Sequence, residues 1–183
     1  MIELRNVGPD EWEIWKDQRL AALRKAPYAF SSNLTEWENA PEQRWRDRLS
    51  ICGSYQVVAS LQGTIVGMAG GLLLTEPGVA ELVSMWVAPA ARGRGVGDAL
   101  VAAVEDWAYS VGATILKLSV VENNYPARKL YSRNGFVDVE LESGDMEVGC
   151  ERVMLKKKPK VKVYGKRVQT TLIISRKPRL KKA

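Results

Sequence analysis

The stretch Ala91-Arg92-Gly93-Arg94-Gly95-Val96-Gly97 places three alternating glycines and two arginines within seven residues. Glycine lets backbone amides come close to a bound group and arginine favours an anion, so the chemistry on offer is the holding of a phosphate. Three familiar phosphate loops fail on spacing. A dinucleotide fingerprint, G-x-G-x-x-G, needs glycine where counting from Gly93 gives Asp98 and counting from Gly95 gives Leu100. A Walker A loop needs a lysine that does not follow Gly97, and a kinase-type loop needs a strand on each side, whereas here a helical pattern follows. What remains is a strand, a glycine-rich turn and a helix N-terminus, which together offer unpaired N–H groups and the positive end of a helix dipole. Without its surroundings, the same stretch is an ordinary β–α turn.

The chain has no histidine. That removes Ser-His-Asp and Cys-His nucleophilic catalysis and the commonest zinc ligand sets. Cys52 and Cys150 stand far apart and match no metal spacing, so no metal is expected and two reduced thiols are the simplest reading. A general base must be a carboxylate, a tyrosine, a lysine, a cysteine or a water.

The elements that must position these residues follow from periodicity. Residues 2 to 7 alternate as a strand does. Pro9-Asp10 opens an amphipathic helix with Trp12, Trp15, Leu20 and Leu23 near helical spacing, ending near Pro27. Thr35, followed by Glu36 and Glu38, starts a second helix expected to run to about Leu49. SYQVVASLQGTIVGMAGGLLL predicts an antiparallel hairpin turning at Gln62-Gly63. VAELVSMWVAP (79 to 89) is a β-rich run stopped by Pro89. Beyond the glycine loop, Leu100, Ala103, Val104, Trp107, Ala108 and Val111 recur at helical spacing, with Gly112 as the stop. TILKLSVV, FVDVEL and ERVMLKK read as strands, and YPARKLYSRNG as a short helix ended by Gly135. The span 79 to 121 is a β-loop-α-β unit, which demands two parallel strands in a sheet whose earlier strands are antiparallel. The class expected is α/β, a mixed and mostly antiparallel sheet with flanking helices.

At 183 residues, with 46% hydrophobic and 26% charged residues, one compact soluble domain is expected. No run of 18 apolar residues crosses a membrane, and the acidic N-terminus lacks a signal-peptide core, so a cytoplasmic location is expected. The net charge of +6 is unevenly spread. Residues 156 to 183 hold 12 of the 27 lysines and arginines and no acid, which leaves 15 basic against 21 acidic residues in the rest. The organisation expected is a mildly acidic domain over 1–155 and a basic extension over 156–183.

Two motifs carry a resemblance. Arg92-x-x-Gly95-x-Gly97 resembles the [Q/R]-x-x-G-x-[G/A] signature of the GNAT superfamily of acyl-CoA-dependent N-acetyltransferases. Asn124-x-x-Ala127-x-x-Leu130-Tyr131-x-x-x-Gly135-Phe136 is similar to its second signature, NxxAxxLYxxxGF. The two stand in order, separated by a helix and a strand as in that family, and the likeness covers roughly residues 2 to 155. It implies the GNAT fold, with the strand before the loop bulging and splaying from its parallel neighbour. It also implies acetyl-CoA as co-substrate, its pyrophosphate held by Arg92, Gly93, Arg94, Gly95, Val96 and Gly97. Trp86 and Val87 would offer backbone groups to the pantetheine arm, and Asn124 and Ala127 would stand at the CoA.

The resemblance implies direct attack of a primary amine, small-molecule or peptide, on the thioester, with no covalent enzyme intermediate. Tyr131 aligns with the tyrosine that protonates the leaving thiolate; otherwise it is a helix residue packed beside Leu130 and Phe136. Asn124 is otherwise a helix N-cap ahead of Tyr125-Pro126. Glu81, the one carboxylate in the strand before the loop, is the candidate base, or else a surface glutamate. By alternation it shares a face with Val83 and Met85 until a bulge shifts the register. Glu36, Glu38 and Glu122 are weaker candidates, and solvent can serve a low-pKa amine. Trp37, Trp45, Tyr28 and Phe30 lie where the acceptor wall commonly forms, though packing between helices explains them more simply.

The basic tail is read first as a solvated or disordered extension, with an extra hairpin in VKVYGKRVQTTLIIS as the other option. Its charge defines the competing function: an acyl-CoA-binding regulatory or nucleic-acid-associated module, nucleic acid being reached only through the tail. A homodimer is a candidate assembly.

Overall fold

The computed structural model describes residues 1–139 and 151–159. In chain order the elements are β1 (Ile2–Asn6), α1 (Trp12–Lys25), α2 (Leu34–Glu38), α3 (Glu42–Leu49), β2 (Ser54–Leu61), β3 (Thr64–Leu73), β4 (Val79–Val87), α4 (Val96–Ser110), β5 (Ile115–Val121), α5 (Tyr125–Arg133), β6 (Val137–Asp138) and β7 (Glu151–Lys157). The strands form one sheet in the order β1-β2-β3-β4-β5-β7-β6. Every neighbouring pair is antiparallel except β4 and β5. The mixed, mostly antiparallel sheet expected from the sequence is present. No helix among the described residues is long and apolar enough to cross a membrane.

One predicted element divides. The helix expected from Thr35 to Leu49 is two helices, because Pro41 caps α3 with φ −66° and ψ 157°. Proline has no N–H to continue a helical ladder, and it pushes the residue before it away from helical geometry. Asn33 caps the first piece by accepting the Glu36 N–H at 2.9 Å. The Gln62-Gly63 turn has φ of 52° and 76° at its two residues, the left-handed pair that a tight hairpin with right-twisted strands requires. FVDVEL enters the sheet at Val137–Asp138, and its last two residues lie outside the described ones, as does the tail from residue 160. The final strand runs through Lys157, where it pairs with Ile115.

The sheet separates two apolar layers. On one face, alternate residues of β2 to β5 (Val57, Ala59, Ala69, Leu82, Leu118) pack with Leu100, Val101 and Val104 of α4, and Tyr131 and Phe136 join them. A Cβ on Gly71 of β3 would overlap the Trp107 ring, which stacks on Tyr55 with centroids 5.6 Å apart. On the other face Val58, Met68 and Trp86 pack with Trp15, Leu20 and Ala22 of α1 and with Trp45 and Leu49 of α3. These layers hold β4 from both sides, and β4 is where the sheet opens.

Candidate active site

β4 and β5 pair in parallel only from Val79↔Ile115 to Glu81↔Lys117. Beyond that point β4 stays with β3 and β5 stays with β7, so a wedge opens between them. β4 also bulges: Val83 pairs with Gly70 and Trp86 with Met68, so Ser84 and Met85 together oppose Ala69. Ser84 takes φ 54° to do so. The extra residue inverts the alternation. Trp86 now packs with the α1–α3 layer, while Met85 and Val87 pack toward α4. The bulge and the splay that the resemblance implied are both present.

The glycine loop follows. Gly93 (φ +73°) and Gly95 (φ +81°) take the left-handed region, and Gly95 is the N-cap of α4. The first helical bond of α4 runs from Ala99 N to Gly95 O at 3.0 Å. The N–H groups of Val96, Gly97 and Asp98 therefore emerge at the helix end without an intrahelical acceptor. A Cβ on Gly93 would meet nothing within 4 Å, so the loop faces open space. Arg92, Gly93, Arg94 and Gly95 are exposed, whereas the Val96 side chain is buried and anchors the helix. Arg92 Nε donates to Val87 O at 3.1 Å, tying loop to strand. Gly97 also lies against α5: a Cβ there would sit 3.1 Å from Leu130 Cδ2.

α5 docks on this helix end. Its N-cap is Asn124, whose Oδ1 accepts the Ala127 N–H at 3.3 Å, with Pro126 in the first turn. At its other end Arg133 grips Asp98 with two bonds of 2.7 Å, and Asn134 Nδ2 adds one of 2.9 Å. The Arg133 hydrogen bond, ahead of the other influences, holds the Asp98 carboxyl below its ordinary range. This carboxylate in the first turn of α4 is thus paired away. Tyr131 is 6% exposed and tilted against Phe136, centroids 5.9 Å apart. Burial pushes its phenol well above the ordinary tyrosine value, so it stays protonated at neutral pH.

Glu81 points the other way, since Ala80 and Leu82 on either side belong to the α4 layer. It lines a cavity of about 350 Å³ shared by Val83 and Ser84 of β4, Ser119 of β5 and Glu151 of β7. Across from them stand Trp15 and Arg19 of α1, Phe30, Trp37 of α2, and Trp45 and Arg48 of α3. The two catalytic candidates therefore lie on opposite faces of the sheet, Tyr131 in the α4 layer and Glu81 at the cavity. Of the aromatic residues, Trp37, Trp45 and Phe30 line the cavity while Trp45 is also core, and Tyr28 is 66% exposed and outside it. Glu38 and Glu122 pair with Arg24 and Arg152, and neither they nor Glu36 reach the cavity.

Sequence reading missed Arg19, Arg48, Ser119 and Glu151. The arginines had a signal: Arg19 stands on the buried stripe Trp15, Ala22, Leu23, and Arg48 beside Trp45 and Leu49. Ser119 and Glu151 had none, because strand pairing alone brings them here.

Residues 15–136 match the profile described as the acetyltransferase (GNAT) family. The chain is 26% identical over 136 residues to a mycothiol acetyltransferase of Renibacterium salmoninarum, covering 74% of this chain and 40% of that protein. It is 35% identical over 82 residues to an IAA acetyltransferase of Azospirillum brasilense, covering 45% of this chain and 54% of that one. Both matches thus span little more than half of the relative at most. The fold is shared with a PaiA N-acetyltransferase from Thermoplasma acidophilum in complex with coenzyme A, at TM-score 0.67 and 18% identity over 86% of this chain and 99% of that one. With the family profile matched across most of its length, this chain belongs to the acetyltransferase (GNAT) family.

Proposed function

We propose that the protein is an acetyl-CoA-dependent N-acetyltransferase that acylates a primary amine by direct attack. The observation that carries this reading is the wedge past Glu81↔Lys117, which opens beside the free N–H groups of α4 on one side and into the cavity on the other. The relative from Thermoplasma acidophilum, which shares the fold, holds coenzyme A. Val96 and Gly97 amides, with Arg92 and Arg94, would hold the pyrophosphate. Trp86 and Val87 present the bulged strand's backbone to the pantetheine, and α5 closes the site with Asn124 and Ala127 in its first turn.

In the reaction the amine nitrogen bonds to the acetyl carbon and the carbon–sulfur bond breaks. Glu81, directly or through a water, takes the proton the amine loses. Tyr131, neutral throughout the physiological range, donates to the departing sulfur. Its raised pKa makes it a hydrogen-bond donor first and a reluctant proton source second, so solvent can complete the protonation. Transfer needs no covalent enzyme intermediate.

The test is thiol release from acetyl-CoA across a panel of primary amines, alongside the melting shift given by CoA. Turnover with at least one amine class and a rise in Tm are expected. A Tm shift without turnover would favour an acyl-CoA-binding module. No shift at all would end the acetyl-CoA reading.

A further inference from the structure

Arg19 occupies a position where the packing of α1 calls for an apolar side chain. It is 9% exposed, between Trp15 and Leu23 on the buried stripe, with its guanidinium 4.6 Å from the Phe30 ring centroid. Arg48, beside Trp45 on α3, faces the same cavity. The Nη1 atoms of both are buried without a hydrogen-bond partner among the described residues. Neither arginine forms an ion pair with a described carboxylate. Burial and then the neighbouring Arg48 pull the Arg19 pKa down to about 10, so Arg19 remains cationic at neutral pH.

Glu81 and Glu151 line the same cavity, but neither forms an ion pair with these arginines. Buried cations without a paired counter-charge are costly, and two side by side repel. A methionine would fill the α1 stripe without that penalty, so folding alone does not account for the pair. We propose that Arg19 and Arg48 bind an oxyanion, a carboxylate or a phosphate, carried by the acceptor amine itself; the inference rests on the acetyl-transfer reading above. Guanidinium forks match either oxyanion through paired N–H donors. Their placement is directional. The arginines enter from α1 and α3, whereas Glu81, Ser84 and Ser119 stand at the wedge. An acceptor bound by its anion thus presents its amine to the thioester. A cavity of about 350 Å³ is at the small end of ligand sites, which suits a compact molecule. The same charges reject polyamines, whose second ammonium would meet two guanidiniums.

The competing owner of the charge is internal. Glu140, Glu142, Asp145 and Glu147 lie in the segment outside the described residues that leads into β7.

The experiment compares kcat/KM across matched acceptors: phenylalanine, phenylalaninamide and phenethylamine; 4-aminobutyrate, 4-aminobutanamide and propylamine; phosphoethanolamine and ethanolamine; and spermidine. An oxyanion-bearing member should exceed its neutral partners by about 10- to 100-fold, the effect of one or two charge-assisted hydrogen bonds. Whether a carboxylate or the phosphate leads identifies the oxyanion. Arg19→Met should remove that preference and raise Tm, while leaving the Tm shift given by CoA intact; Arg19→Lys should keep part of the preference. Arg48→Met repeats the test should the first variant fail to fold. Neutral amines or spermidine turned over as well as the acids would assign the arginines to the internal carboxylates and overturn the proposal. Loss of the CoA shift in both methionine variants would place the pair at the donor site and overturn it too. Absence of both CoA shift and turnover in the unaltered protein would instead remove the acetyl-transfer reading, and this inference with it.

Discussion

The two faces of the opened sheet are built by different means. On the α4–α5 face the candidate donor site is built from backbone: two left-handed glycines, a helix end with free N–H groups and a bulged strand. On the α1–α3 face the cavity is built from side chains: tryptophans, a phenylalanine, two glutamates and two arginines that have no ion pair among the described residues. A backbone site is specified by where glycine stands and by what cannot stand there. A side-chain site can be rewritten residue by residue without disturbing the sheet. One fold can thus keep a constant donor while its acceptor changes.

The largest break in this contrast should come from Gly95→Glu. The substitution puts a non-glycine residue at φ +81° and a carboxylate at the mouth of the helix end. Left-handed backbone costs about 1–2 kcal/mol, which the fold should survive, because the nearest atom to a new Cβ is Ile2 Cδ1 at 3.7 Å. CoA affinity should fall by at least about 100-fold, through lost charge-assisted bonds and new repulsion. Gly95→Ala separates the two causes, since it carries the strain without the charge and should retain most binding. Calorimetric titration of CoA into each variant reads the difference. Equal affinities for the unaltered protein and Gly95→Glu would mean that the loop holds no phosphate.

That loop was legible in the chain because its requirements are local. Positive φ, a helix start and basic flanks all fall within residues 92–97. The helix break at Pro41 is equally local, but the amphipathic pattern on either side of it masks the break. Gly97 carries a second constraint that is not local: a Cβ there would crowd Leu130, far along the chain, and no spacing rule ties the two. The cavity was least legible. Arg19 on an apolar stripe marks an anomaly, but only the tertiary structure shows that Arg48 faces the same space and that no described acid forms an ion pair with either. Glu81 could be named from its strand, yet its face depended on where the bulge fell.

Tyr131 tests whether side-chain chemistry on the donor face is as replaceable as its backbone is not. Tyr131→Phe keeps the packing against Phe136 and removes only the hydroxyl. We expect kcat to fall by about 10- to 100-fold, at or below the lower end for general acids, with the KM for acetyl-CoA nearly unchanged. The pH profile sharpens the point. A phenol raised by burial holds its proton as pH climbs, so the unaltered protein should show no Tyr131 limb between pH 7 and 9 in its turnover. A rate loss in that window that disappears in Tyr131→Phe would show a phenol titrating near or below its ordinary value and contradict the burial described here.

The smallest effect belongs to the ion pair that joins the two helices of the donor face. Asp98 and Arg133 are partly exposed, at 39% and 52%, so solvent screens them and the pair contributes only about 0.5–1 kcal/mol to stability. Because the folded Asp98 pKa lies below the unfolded value, its contribution is present above the unfolded pKa. It disappears as pH falls through the folded one. Asp98→Asn should therefore lower Tm slightly at pH 7, and the gap should close in the acid range below about pH 4. The pair also keeps a carboxylate from occupying the helix end proposed for phosphate. Arg133→Met leaves Asp98 charged there, held only by the neutral Asn134 amide, and should weaken CoA binding more than Asp98→Asn does, although both remove the ion pair. If the two variants lose CoA affinity equally, the pair serves only to dock α5, and backbone alone accounts for anion binding on this face.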